Sequence, residues 1–164
     1  MNKVVNKNRI IGERVGNKPG PLMIVFAQIH GNEPAGYKAV EELFKAIDLE
    51  YVKNDNFEFC GRIIALQGNM KAAKANVRYL KKDLNRSWLP KEIDRIRKTK
   101  VVESLDPEDQ EIKENLDLIE AYIDLCKPPR VVVLDLQTTT AHGGIFTIPS
   151  QNPEARSIAL TMHA

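Results

Sequence analysis

His30 and Glu33 stand three residues apart in the run His30-Gly31-Asn32-Glu33, and a chain that turns between them can bring imidazole and carboxylate onto one cation. A His/Glu pair with an open coordination position is what hydrolytic zinc requires. Gly31 would let the backbone bend sharply. The competing reading is structural: His30 satisfies a polar turn and Glu33 favours the positive end of the helix that follows. For an arbitrary H-x-x-E the structural reading is the commoner one. Placement at the end of a strand brings the two level.

A second cluster is Arg78-Tyr79-Leu80-Lys81-Lys82-Asp83-Leu84-Asn85-Arg86. A guanidinium recognises a carboxylate through paired donors, and an adjacent amide adds direction. Arg78 and Arg86 can serve different ends of one substrate, with Asp83 orienting one of them. On charge alone, a solvated basic loop explains the same residues. The third cluster, Asp135-Leu136-Gln137-Thr138-Thr139-Thr140, ends the strand with the strongest apolar run. Polar groups emerging from a buried strand are costly unless paired or functional. Gln137 can hydrogen-bond a ligand or weakly offer its amide oxygen to a metal, and a satisfied turn residue would look the same.

Each cluster follows an expected strand, and functional groups of α/β proteins commonly lie beyond the carboxyl ends of strands. Strands are expected over residues 10–15, 22–29, 57–66 (interrupted by Gly61), 131–136 and 145–148, with a turn at 17–20. The near-continuous apolar run of 22–29 suits a central strand covered on both faces. A helix opens near Glu33 and Pro34 and carries Ala35, Ala39, Val40, Leu43, Phe44 and Ile47 at helical spacing. Residues 68–88 are polar, basic and aperiodic, which predicts an ordered loop with a turn of helix. A loop of that length within a domain is usually functional. Asp106-Pro107-Glu108-Asp109 starts another helix with a capping side chain, Pro at the first position and acids in the first turn. Ile112, Leu116, Ile119, Tyr122 and Ile123 form its apolar face. A turn at Gly143-Gly144 and a last helix over 153–162 complete an alternating α/β pattern.

The chain has 164 residues, 43% hydrophobic and 28% charged, enough for one domain with a real core. Its apolar runs are too short to span a bilayer, and its start lacks the pattern of a secretion signal. Cys60 and Cys126 have no metal-type spacing and read as buried small apolar groups, so a reducing, cytoplasmic setting is expected. Net charge is +2, unevenly spread: residues 71–100 hold eleven Lys or Arg against three acids, and 103–124 hold nine acids against Lys113 alone. A basic loop beside a solvated helix face accounts for most of these charges. A basic segment near a cleft favours small anionic substrates, while sparse aromatics and no recognition motif argue against nucleic acid.

Taken in order, H-G-N-E, R-Y-x-x-x-D-L-N-R and D-L-x-T-T resemble the signature of the succinylglutamate desuccinylase/aspartoacylase family, whose fold is similar to that of zinc carboxypeptidases. The resemblance spans residues 22–148. It implies an α/β fold with a mixed, mostly buried central sheet flanked by helices, carboxypeptidase-like and truncated, as one incomplete catalytic domain over residues 1–164. It also implies His30 and Glu33 as ligands of one zinc ion and Arg78 as the catalytic group that polarises the scissile carbonyl and stabilises the oxyanion. Asn85 and Arg86 would hold the substrate carboxylate. The implied reaction is zinc-assisted hydrolysis of the amide bond of an N-acyl amino acid, with a Glu as general base. The implied partner is that small anionic substrate, with neither nucleic acid nor membrane.

Two departures stand out. The family pattern places a third histidine ligand where this chain has Gln137, and a neutral amide should lower zinc affinity. His142, five residues on, offers an imidazole, but spacing does not establish it as a ligand. The family's general-base Glu belongs to a later strand, expected beyond residue 164, and Glu154 precedes a helix in the wrong context. Three alternatives follow: a non-catalytic binder that keeps an anion pocket of Arg78, Asn85 and Arg86; a related metallocarboxypeptidase; and a basic nucleic-acid module resting on residues 71–100 alone.

Overall fold

The structure, a computed structural model, describes residues 6–139 and 144–162. Four strands form one mixed sheet in the order β1-β3-β2-β4: β1 (Ile10–Val15), β2 (Lys18–Ala27), β3 (Cys60–Gln67) and β4 (Val131–Leu136). β1 runs antiparallel to β3, while β2 is parallel to both β3 and β4. Five helices accompany it: α1 (Ala35–Lys53), α2 (Met70–Ala75), α3 (Pro90–Lys98), α4 (Pro107–Cys126) and α5 (Pro153–Thr161). The α/β class with a mixed central sheet flanked by helices is as expected from sequence.

The pleat sorts the core into two layers. Leu22, Ile24 and Phe26 of β2 and Ile64 and Leu66 of β3 face α4, meeting Ile112, Leu116, Leu118 and Tyr122. Val25 and Ala27 of β2 and Ile63 and Ala65 of β3 point the other way, onto Val40, Phe44 and Ile47 of α1. The buried stripe of α1 is Gly36, Val40, Phe44 and Ile47, whereas Ala35, Ala39 and Leu43 stay exposed. Trp88 reaches in from the long loop to Phe26, with ring centroids 5.9 Å apart.

Several expectations change. β2 begins at Lys18, so Pro19 and Gly20 lie inside a strand whose register with β3 shifts between Lys18 and Leu22. At that shift Gly61 takes φ +86°, and a Cβ there would run into the Pro21 carbonyl. β4 has the expected bounds but is an edge strand. Val132, Leu134 and Leu136 are partly covered, with Leu134 and Leu136 packing on the α1 layer, while Val131, Val133 and Asp135 are exposed because α4 lies over the other strands. Residues 145–148 form no strand, and Ile145 and Ile148 are 89% and 83% exposed. Gly143 and His142 lie outside the described residues. Cys60 is exposed and Cys126 half-buried, contrary to their reading as core residues. α3 was not expected, because its nine residues offer only Ile93 and Ile96 as an apolar signal within a basic stretch. Among the described residues no helix is long and apolar enough to cross a membrane.

The acidic helix α4 also departs from expectation. Asp106 makes no capping bond to it; its carboxylate takes the Lys81 ammonium at 2.6 Å instead. Glu108, Asp109 and Glu111 are buried rather than solvated, at 0%, 1% and 2% exposure. Arg9 is buried with them, donating to Glu111 (3.1 Å), Glu114 (2.7 Å) and the Asn115 amide oxygen (2.8 Å). A buried carboxylate stripped of its cation is strongly destabilising. Arg9→Leu is therefore expected to cost about 3 kcal/mol or more in chemical denaturation, against under about 0.5 kcal/mol for Val133→Thr on the open flank of β4. A Val133→Thr cost as large as that of Arg9→Leu would mean that β4 is covered after all.

Candidate functional site

Ala27 pairs with both Gln67 and Leu136, so three parallel strands end level with one another. The segments after those ends hold the sequence-predicted clusters. β2 is stopped by Gln28, a non-glycine residue at φ 53°, a strained conformation of the kind that persists where surrounding contacts fix it. The Gln28 side chain donates to the Gly31 carbonyl (3.1 Å) and accepts from the Gln67 amide (2.7 Å), and its carbonyl accepts from the Asn69 N–H (3.0 Å). This knot turns the chain so that His30 enters the crevice only 4% exposed. Nothing in the sequence pattern marked Gln28. Gly31 does not have a left-handed φ; it is needed because a Cβ would fall inside the backbone of Ala72 and Ala73 in α2.

Both imidazole nitrogens of His30 face carboxylates. Nδ1 lies 2.9 Å from Glu33 Oε1, and Nε2 lies 3.1 Å from Asp83 Oδ1. Arg78 Nη1 donates to the same Glu33 oxygen at 3.2 Å, and its Nη2 stands 3.7 Å from Asp83 Oδ2. The other Glu33 oxygen accepts the Thr138 N–H at 2.8 Å, which ties the end of β4 to the site. The structure therefore brings together His30, Glu33, Arg78, Asp83 and Thr138. Asp83, expected to orient an arginine, bridges His30 and Arg78. Asn85 and Arg86 form a 3-10 turn with Leu84 directly after Asp83, whose side chain accepts the Asn85 N–H. No bond from their side chains to His30 or Glu33 occurs among the described residues. Gln137 turns its amide nitrogen to Asp135 Oδ2 at 2.5 Å.

Burial pushes the Glu33 carboxyl up, but the Thr138 N–H and the His30 imidazole outweigh it and hold it below its ordinary value. Asp83 follows the same pattern: burial raises it, while His30, the Asn85 N–H and Arg78 bring it lower. Asp135 goes the other way, raised by burial of its carboxyl at the strand end despite the Gln137 amide. The open flank of β4, where Asp135 as a whole residue is exposed, moderates that effect.

Whether this arrangement suits a metal turns on the donors. A neutral imidazole carries one N–H, so His30 can donate to only one of its two carboxylates. If Asp83 accepts from Nε2–H, the lone pair of Nδ1 faces a carboxylate oxygen, an arrangement that a cation between them would relieve. A carboxylate on the outer nitrogen also fixes the tautomer of a metal-binding histidine. His30 Nδ1 and Glu33 thus fit a divalent cation as a pair. A third donor is missing: among the described residues no three His, Cys, Asp or Glu side chains are arranged to hold a metal. Asp83 stands on the far side of the ring, and Gln137 is bonded to Asp135.

The parallel strand ends of an α/β sheet, where this cluster lies, are a common place for functional groups. The sequence profile of the succinylglutamate desuccinylase/aspartoacylase catalytic domain matches residues 19–163, and the chain belongs to that family. The structure is also similar to the crystal structure of the succinylglutamate desuccinylase from Chromobacterium violaceum, at 16% identity and a TM-score of 0.48. The match covers 77% of this chain and 41% of that one, so the chain spans less than half the length of that protein. No curated protein matches the chain at a significant level.

A carboxyl whose value is lowered by folding contributes stability that is present above its unfolded value and lost as pH falls through its folded value. Glu33 and Asp83 both have this sign. The melting temperature should therefore fall as pH drops from about 5 to about 3, and fall less steeply in Asp83→Asn, whose stability is already reduced at neutral pH. Melting curves across that range decide it: an unchanged slope in the variant would show that Asp83 is not paired as described.

Proposed function

We propose that the chain carries the cation- and substrate-holding part of a metal-dependent amidohydrolase acting on N-acyl amino acids. The observation that supports this best is His30 held between Glu33 and Asp83 with Arg78 bonded to Glu33. His30 and Glu33 would hold one zinc ion, which when bound would supply a Lewis acid. Asp83 fixes the imidazole through Nε2. Arg78 is about half-exposed at the rim, where its guanidinium would be free to polarise an amide carbonyl and stabilise the charge developing on its oxygen. Asn85 and Arg86, on the turn after Asp83, would take the substrate carboxylate through directional donors. Much of the neighbouring basic stretch is paired within the chain: Lys81 to Asp106, Lys82 and Arg95 to Asp109, Arg97 to Glu120. That pairing favours a small anion over a polyanionic nucleic acid.

The Gln137–Asp135 bond favours a second reading, a binder of small carboxylates without turnover. A two-donor site should bind zinc weakly, and an imidazole at position 137 would complete the three donors of a catalytic site. Zinc titration by calorimetry should show Gln137→His tightening binding by at least about tenfold and His30→Ala abolishing it. If Gln137→His binds no zinc, the metal-dependent reading fails. In that event, binding of N-succinylglutamate that is lost in Arg78→Ala would support the carboxylate binder.

A further inference from the structure

Between Arg78 and Asp83, the two loop residues that touch Glu33 and His30, three consecutive backbone N–H groups point away from the site and into the protein. They converge on one fully buried side chain. Glu108 Oε1 accepts from Leu80 N at 2.7 Å and from Lys81 N at 3.3 Å, and Oε2 accepts from Lys81 N at 3.2 Å and Lys82 N at 3.4 Å. Successive N–H groups of this kind make an anion-binding concavity, here filled by a carboxylate of the same chain. Glu108 sits in the first turn of α4, where the helix dipole favours negative charge. At its other end the loop is tied to the His30 turn, where Gly31 N–H donates to the Arg78 carbonyl at 3.2 Å.

We propose that Glu108 is a positioning residue: by clamping the N–H groups of residues 80–82 it sets how far Arg78 and Asp83 stand from His30 and Glu33. This rests on the reading of those four residues as the functional site. Glu108 touches neither imidazole nor guanidinium and acts only through the backbone between them. Its chemistry is demanding, because only a carboxylate offers two acceptor oxygens to this set of donors. A glutamine of the same shape would turn an NH2 group against N–H groups that need an acceptor.

Glu108→Gln and Glu108→Asp are compared with Asp106→Asn, which removes the neighbouring exposed pair with Lys81 and no backbone bond. Nitrogen NMR of the His30 ring reports its bond to Asp83 independently of any metal, and zinc titration reports the paired donors. Glu108→Gln should speed exchange of the His30 ring N–H by at least about tenfold and weaken zinc binding by about tenfold. Glu108→Asp, which keeps both oxygens, should recover much of both, and Asp106→Asn should change neither. Faster amide exchange at residues 80–82 with the His30 ring signal unchanged would overturn the proposal and leave Glu108 a structural anchor. If Glu108→Gln does not fold, the ring signal of Glu108→Asp decides, and a wild-type signal beside disturbed 80–82 amides would again overturn it. Should neither the wild-type chain nor Gln137→His bind zinc, the proposed function fails. The ring signal alone then tests the positioning role.

Discussion

The structure depends most on carboxylates of one helix accepting backbone N–H groups from a loop that has no ladder of its own. Glu108 takes the N–H groups of residues 80–82, and Glu111 takes those of Met70 and Lys71 at the start of α2. Buried N–H groups left unpaired cost about as much as a lost hydrogen bond each. Without α4 the N–H groups of residues 70–71 and 80–82 would lose these acceptors. The same carboxylates are themselves costly to bury. Glu111 is tolerated because Arg9 and two N–H donors reach it, and Glu108 because three consecutive N–H groups share it. Loop and helix each satisfy what the other could not bury alone.

This reciprocity explains what could be read from the sequence. β1 and β4 coincide with their apolar runs, α1 and α4 follow their helical spacing, and α5 starts at Pro153 as expected, because periodicity and helix-start residues are local. The first two chemical clusters were legible as types and order, and the parallel strand ends bring His30, Glu33 and Arg78 together. The inward turn of Glu108 and Glu111 was not legible, since acids at helical spacing look the same whether they face water or a loop 28 residues earlier. The edge position of β4 was hidden for a related reason. An apolar strand shows that burial is favourable and says nothing of which helix lies over it. Asp83 does stand beside Arg78, one of the two arginines it was expected to orient, but its contact with a histidine 53 positions away was not legible because loop residues lack periodicity.

At the site, the same logic of shared partners holds. Glu33 Oε1 is the common neighbour of His30 Nδ1 and Arg78 Nη1, while Oε2 is held by Thr138. A carboxylate that accepts from the Arg78 guanidinium and the Thr138 N–H is well satisfied, consistent with the lowered Glu33. An ion arriving between His30 and Glu33 would therefore compete with the Arg78 contact rather than enter an empty cradle.

The departure at position 137 bears on the same site. Asp135 and Gln137 bond to each other across the end of an edge strand whose outer flank is open. The Gln137 amide nitrogen is held by Asp135, which limits where its oxygen can turn, and breaking that bond would take from the raised Asp135 carboxyl a donor that eases its burial. A histidine there would face the same carboxylate with an N–H and still present its second nitrogen to a cation, as metal-bound histidines commonly do. Besides the weaker affinity of an amide for zinc, the two residue types differ at this position in whether one side chain can satisfy Asp135 and a metal at the same time. Gln137 can do so only if its amide oxygen and nitrogen face opposite ways, and the bond to Asp135 already fixes one of the two.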